Sequence, residues 1–298
     1  MTTTQVRPIP VLPPDRRRRF RRNQRVSRAG VLTYIVLGIA LVLSAFPIYW
    51  TFVAASSTNE VISQTPPQFL PGGHLMDNLR RVFGFEAVDF RVALANSVIV
   101  STCVTVSVLF FSTLAGFAFA KLRFKGRDGM LLFVIATMLL PVQLGVIPLY
   151  IMMGWIGWTG KIVAVIVPLL VSAFGVFFMR QFIVEAVPDE LIEAARMDGC
   201  TTWGIYARVV FPVIRPAVAV LGLLIFMQTW NDFLWPLVVL SSDQPTVQVA
   251  ISSLAAGYYT DYSLVLAGTA LATLPLLVLF VVAGKQLISG IMQGAVKG

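Results

Sequence analysis

The chain has little charge and almost no reactive side-chain chemistry. Only 12% of its 298 residues are Asp, Glu, Lys or Arg, against about 25% in an ordinary soluble domain, while 57% are hydrophobic. That imbalance excludes a soluble globular reading. Two cysteines, Cys103 in an apolar run and Cys200 in a charged loop, are too few for a disulfide framework or a zinc cluster. The single histidine, His74, has no second ligand near it, so it reads as a solvated loop residue and no metal site is expected. No G-x-x-x-x-G-K-[ST] occurs: Gly160-Lys161-Ile162 and Gly284-Lys285-Gln286 lack both the leading glycine arrangement and the hydroxyl residue, so ATP has no Walker loop here. H-E-x-x-H, G-x-S-x-G and paired-cysteine motifs are missing as well. No catalytic residue is assigned, and no cofactor is expected in this chain.

What the chain has is uncharged apolar length. A helix needs about 20 mostly apolar residues to cross a bilayer, because every backbone amide must be satisfied within the segment. Residues 29–59, 92–120, 129–160, 162–179 and 262–284 are free of charge, and residues 216–242 are interrupted only by Asp232. The expectation is an all-α integral membrane protein with six spans near 31–53, 92–118, 130–152, 162–181, 217–239 and 263–285. The third holds Pro141 and Pro148, each of which removes a helix hydrogen bond and crowds the preceding turn, so it should kink or break. Irregular backbone at that depth is tolerated only against protein or a water-filled cavity, which is a first hint of a pathway. A proline kink buried among helices is the alternative.

The net charge of +9 is explained by topology and not by nucleic-acid binding, since the basic residues cluster in loops. Nineteen of the 23 Lys and Arg fall in the N-terminal tail, the 2–3 and 4–5 connections and the C-terminal end; Arg80, Arg81, Arg91 and Lys161 fall on the other side. Both termini are therefore expected in the cytoplasm. The tail, residues 1–29, is too rich in Arg and Pro to fold alone and is expected to be disordered, anchored to anionic lipid headgroups. With the apolar run behind it, it imitates a secretory signal, but the run exceeds the roughly 7–15 residues of a signal core and is kept as the first span.

The connection between spans four and five, residues 180–215, is longer than most helix connections and carries its own pattern. Pro188 suits the first helical position, with Asp189 and Glu190 in the first turn where acids favour the positive end of the dipole. Leu191, Ile192, Ala194 and Ala195 supply an apolar strip, and Gly199 fits the left-handed residue that closes a helix. A second helix begins with Thr201 or Thr202 as cap and is expected to end at Pro212 and Pro216. Small Ala194 and Ala195 allow close approach of another surface, and Glu193, Arg196 and Asp198 can orient it by charged hydrogen bonds. The spacing alone describes a docking knob or an amphipathic hairpin lying on the membrane.

Glu193-Ala194-Ala195-Arg196-Met197-Asp198-Gly199, followed by Pro212 and Pro216, resembles the EAA loop of permease subunits in binding-protein-dependent ABC importers. Asn96-Ser97, Trp230-Asn231-Asp232-Phe233-Leu234-Trp235-Pro236-Leu237 and the terminal Gly294-Ala295-Val296-Lys297-Gly298 are similar to the maltose-type carbohydrate branch. The resemblance covers residues 30–298, one transmembrane domain of type I importer fold; the Arg/Pro tail departs from it. It implies that the EAA segment is a cytoplasmic coupling helix seated on a separate ATPase subunit, with Glu193, Ala194, Ala195, Asp198 and Gly199 at the contact and Lys297 reaching toward the ATPase dimer. It implies a second permease subunit, two ATPase subunits or domains, an extracytoplasmic solute-binding protein, and a carbohydrate, by branch an oligosaccharide, as solute. The loop at residues 241–261 matches by position the external loop that can touch the binding protein.

Asp232 stands out because an ionisable residue inside a span is costly and is a functional hypothesis by default. Two readings stay open. With Asn231 and Trp235, and with Trp230 nearby, it lines a substrate pathway in which the indoles stack on sugar; or it is structural, bonded to a neighbouring helix or to a partner, with the tryptophans as an interfacial belt. An ion-gradient carrier is the rival function; such carriers show inverted repeats and intramembrane carboxylates, and here no repeat is evident and Asp232 stands alone.

Overall fold

The computed structural model describes residues 30–66, 68–256 and 260–295, apart from the side chains of 283 and 285–295. The tail at 1–29 and Lys297 lie outside the described residues. Fourteen α-helices follow one another among them: α1 (Val31–Ala55), α2 (Asn59–Ile62), α3 (Leu75–Phe83), α4 (Phe90–Lys121), α5 (Arg127–Thr137), α6 (Val146–Trp155), α7 (Val163–Ile166), α8 (Ala173–Ala186), α9 (Asp189–Met197), α10 (Thr202–Ile205), α11 (Phe211–Trp230), α12 (Leu234–Val239), α13 (Val247–Leu254) and α14 (Tyr262–Ala295). Short 3-10 turns at Val142–Gly145 and Val167–Leu169 lead into α6 and follow α7, and a π-helical turn, Tyr206–Val210, joins α10 to α11.

The chain divides into two units, Met1–Pro47 and Ile48–Gly298. The described part of the first is the apolar body of α1, whose side chains from Val31 to Ala45 are exposed on every face. A helix apolar all round, without a buried stripe, suits a lipid environment and not water.

The second unit is a bundle centred on α4, which packs along α8 and α11. Close approach is made possible by small residues: a Cβ on Gly116 would lie 2.8 Å from Met179 Cβ and 2.9 Å from the Arg180 amide nitrogen, so only glycine lets α4 and α8 touch there. One apolar core joins Val104, Val108, Phe117, Met179, Ile183, Tyr206, Val210, Ile214 and Leu221. A second surrounds the start of α4, where Phe90, Ala93, Trp230, Val247, Leu254, Leu264 and Ala267 meet. Three buried polar side chains around it are paired: Asn78 donates to the carbonyls of Ala55 and Ser57, Trp230 Nε1 to that of Ala272 at 3.2 Å, and Asn96 Nδ2 to that of Pro245 at 3.0 Å. Ser97 Oγ accepts from the Val247 amide at 2.8 Å, so Asn96-Ser97 pins the segment 245–254 against α4.

The apolar runs fold as helices long enough to cross a membrane at Val31–Ala55, Phe90–Lys121, Val163–Ala186, Thr202–Trp230 and Tyr262–Val282, with a sixth from Arg127–Thr137 and Val142–Trp155 bent by 88°. The break in the third run falls at Pro141, where the proline expectation put it. The fourth run is a span where it was expected, at Val163–Ala186, although its helix is interrupted: α7 stops, and Ser172 caps α8 by accepting from the Gly175 amide at 3.2 Å. Two other expectations are corrected. The fifth is not continuous to 239; it ends at Trp230 and resumes as α12 after Asn231, Asp232 and Phe233. Pro212 and Pro216 do not end the helix begun at Thr202. The π turn before Pro212 widens the backbone and accommodates the ring, and α11 runs on to Trp230.

Candidate functional site

The three breaks open on one cavity. Its wall takes Met138 and Leu140 from the α5–α6 break, Val171 and Ser172 from the α7–α8 break, and Asp232 from the α11–α12 break. Val104 and Val108, halfway along α4, form its floor, and the cavity measures about 520 Å³. Thr137, Gln143, Ser172, Gln228, Thr229 and Asp232 supply its polar atoms. Peptide groups freed where helices break need water or polar partners, and a polar concavity meets that need. Discontinuous helices around a cavity near mid-membrane are how transport proteins hold polar solutes.

Of the three pathway residues named from sequence, only Asp232 lines this wall. It stands in the gap between the end of α11 and the start of α12. Asn231 points elsewhere: its Nδ2 donates to the Met227 carbonyl at 2.8 Å and its Oδ1 accepts from Gln248 Nε2 at 3.3 Å. Trp235 is 6% exposed, and its Nε1 donates to the Ala164 carbonyl at 3.1 Å, tying α12 to α7. Trp230 is 1% exposed in the second core. Neither indole is free to stack on a solute in this structure. Gln143, Ser172, Gln228 and Thr229 were missed from sequence, although Gln228 lies one helical turn before Asp232 and Gln143 two residues after Pro141.

The second feature is the hairpin at α9. Asp189 opens the helix, with Pro188 just outside it, and the end is closed by two hydrogen bonds: Gly199 N to Arg196 O and Cys200 N to Ala195 O, both 3.0 Å. With Gly199 at φ +77° this is the six-to-one and five-to-two pattern that finishes a helix through a left-handed residue. Thr201 then caps the next helix, accepting from the Gly204 amide at 3.1 Å. Ile192 and Ala195, three apart, turn inward onto the first core near Ile205 and Tyr206. Ala195 is therefore occupied within this chain, and Ala194 is the alanine left at the surface with Glu193, Met197, Asp198 and Gly199.

An ion pair holds the hairpin to α4. Lys121 Nζ donates to Asp189 Oδ1 at 2.5 Å, the lysine side chain only 6% exposed. The hydrogen bond and charge of Lys121 keep the Asp189 carboxyl below the usual carboxylate range. At the other end of the bundle Arg81 pairs with Asp261. Burial there would raise the Asp261 carboxyl, but hydrogen bonds from Ser263, Arg81 and the Leu264 amide outweigh it and hold the value below normal. That contact and the Asn96-Ser97 pairing fold much of the 241–261 loop back onto the bundle.

Broken helices around a polar cavity, with a capped hairpin standing between two spans, define a membrane permease. Residues 109–287 match the family described as binding-protein-dependent transport system inner membrane component, and the chain belongs to it. The lactose transport system permease protein LacG of Rhizobium radiobacter is 36% identical over 268 residues, covering 90% of this chain and 96% of that one. The arabinooligosaccharides permease protein AraQ of Halalkalibacterium halodurans is 33% identical, covering 89% and 96%. The sn-glycerol-3-phosphate permease protein UgpE of Shigella flexneri is 30% identical, covering 88% and 94%. In fold, a crystal structure of a bacterial ABC transporter involved in the import of the acidic polysaccharide alginate aligns with TM-score 0.72 at 24% identity, over 86% of this chain and 95% of its own. The chain is thus a multi-pass inner-membrane permease subunit of an ABC importer, with the ATPase a separate subunit. The ion-gradient carrier reading falls with that membership.

Proposed function

We infer that this chain forms one half of the translocation pathway of a carbohydrate importer whose solute is an oligosaccharide. The observation that carries the reading is the convergence of three helix breaks on one polar cavity lined by Asp232, Gln143 and Gln228. Relatives named for lactose and arabinooligosaccharides support a sugar with several hydroxyls, and one named for sn-glycerol 3-phosphate supplies the competing solute class. The other half comes from a second, related permease subunit. Two ATPase subunits and an extracytoplasmic solute-binding protein complete the assembly.

In this reading both termini and α9 face the cytoplasm, as the Lys and Arg distribution requires. Closure of the ATP-bound ATPase dimer displaces α9 through Glu193, Ala194, Asp198 and Gly199, with Ala195 anchoring the helix from behind, and Lys297 reaches the same partner. The two permeases then swing between inward- and outward-facing states, and the cavity is exposed to each side in turn. Solute uptake in cells carrying the complete system tests this: uptake is expected to stop when ATP is exhausted while the ion gradients are clamped. Uptake that continues under those conditions rules the reading out.

A further inference from the structure

The cavity just assigned to the pathway, an assignment on which this inference rests, carries one ionisable group. Among the described residues that line it, Asp232 is the only Asp, Glu, Lys, Arg or His. The other polar groups are the amides of Gln143 and Gln228 and the hydroxyls of Thr137, Ser172 and Thr229, and the remaining wall is apolar. Three cations outside the lining are engaged elsewhere: Lys121 with Asp189, Arg81 with Asp261, and Lys161 with the Gly157 carbonyl. Arg123 and Arg127 line a separate pocket in the α4–α5 connection.

An anionic solute entering this concavity gives up hydration, meets no counter-charge among the described residues that line it and approaches a carboxylate, while low-dielectric walls lengthen the reach of that repulsion. A neutral polyol finds donors and acceptors in the amides and hydroxyls at no such cost. We propose that Asp232 makes this half of the pathway an anion filter, admitting neutral, hydroxyl-rich solutes and rejecting phosphorylated or carboxylated ones. Of the two solute classes named above, the neutral oligosaccharide is the one that fits.

The test reads the cavity's field without needing the natural solute. Cys103 and Cys200 are replaced by serine, Gln228→Cys provides a reporter thiol, and the full chain is purified from membranes with its companion subunits. The thiol is then treated with a cationic (trimethylammonium-ethyl) and an anionic (sulfonatoethyl) methanethiosulfonate, and with a small neutral maleimide. Relative to a free thiol in solution, the cationic reagent is expected to be favoured over the anionic by about tenfold, the ratio for a unit charge within several ångströms in a partly wet site. Asp232→Asn should bring that preference close to one, and Asp232→Glu should retain it. A preference that Asp232→Asn leaves unchanged overturns the filter while leaving the pathway intact. A reporter inert to all three reagents, at Gln228→Cys and at a second position, Thr137→Cys, overturns the pathway assignment and the filter with it.

Discussion

At the α9 hairpin, every residue that shapes the turn lies within a short stretch of chain, from Pro188 to Gly204, whereas the cavity borrows its wall from positions as distant as Thr137, Ser172 and Asp232. The hairpin is a local object whose caps, left-handed glycine and inward Ile192–Ala195 face would hold their shape wherever the bundle placed it. The cavity exists only because three separate helix breaks converge on it. Local construction suits a part that must be gripped and moved as a unit; distributed construction suits one that must open and close.

The sharpest way to break this contrast is Gly199→Val. Space at Gly199 is open, with nothing within 4 Å of an added Cβ, so the penalty is one of backbone conformation, about 2 kcal/mol or more for a β-branched residue at positive φ. Uptake is expected to fall at least tenfold with membrane insertion and subunit assembly intact, measured by transport alongside ATPase activity of the purified complex. Normal uptake would show that the turn is not where work enters. Next comes Trp235→Phe, which strands the Ala164 carbonyl and loosens α12 from α7. A loss of about 1 kcal/mol is expected, read as a lower thermal midpoint of the complex. A Trp235 that instead contacts solute would show its deficit in apparent affinity with stability unchanged.

Smaller still is Asp189→Asn. The Asp189 carboxylate is largely exposed, so its pair with Lys121 contributes under about 1 kcal/mol. Its folded value is lowered, so the contribution is present above the unfolded value of about 3.9 and is lost as pH falls through the folded one. The stability difference between Asp189→Asn and the parent should therefore be flat from about pH 5 to 8 and shrink only in stronger acid. The smallest effect belongs to Asn231→Ala: outside the cavity wall and bonded to Met227 and Gln248, it should change uptake by less than about twofold. A tenfold loss there would bring Asn231 back into the pathway.

The hairpin was readable in sequence because its signals are local. Asp189 and Glu190, Gly199 and Thr201 stand where elementary capping rules want them, and the structure realises each. The membrane spans were readable for a similar reason, since a charge-free run announces itself. The helix breaks were half readable. Pro141 announced one, but the break before Asp232 has no proline at its start, and the break at Ser172 was overlooked although Pro168 stands in the turn just before it. Conversely, Pro212 and Pro216 promised an end that a π turn removed. The cavity wall was legible only at Asp232, because Gln143, Ser172 and Gln228 are unremarkable one at a time and acquire meaning from a three-dimensional coincidence that no window of sequence contains. Trp235 illustrates the same limit: an aromatic beside a carboxylate suggested a stacking surface, and only packing revealed its indole turned to Ala164.

The uninterrupted helix from Thr202 to Trp230 is 29 residues long and, at about 1.5 Å per residue, reaches roughly 43 Å. It starts three residues beyond Gly199 and stops two short of Asp232. Under the proposed coupling it would serve as a push-rod: packed along α4, it would turn a few ångströms of travel imposed at its foot into tilt at its head, beside the wall of the cavity.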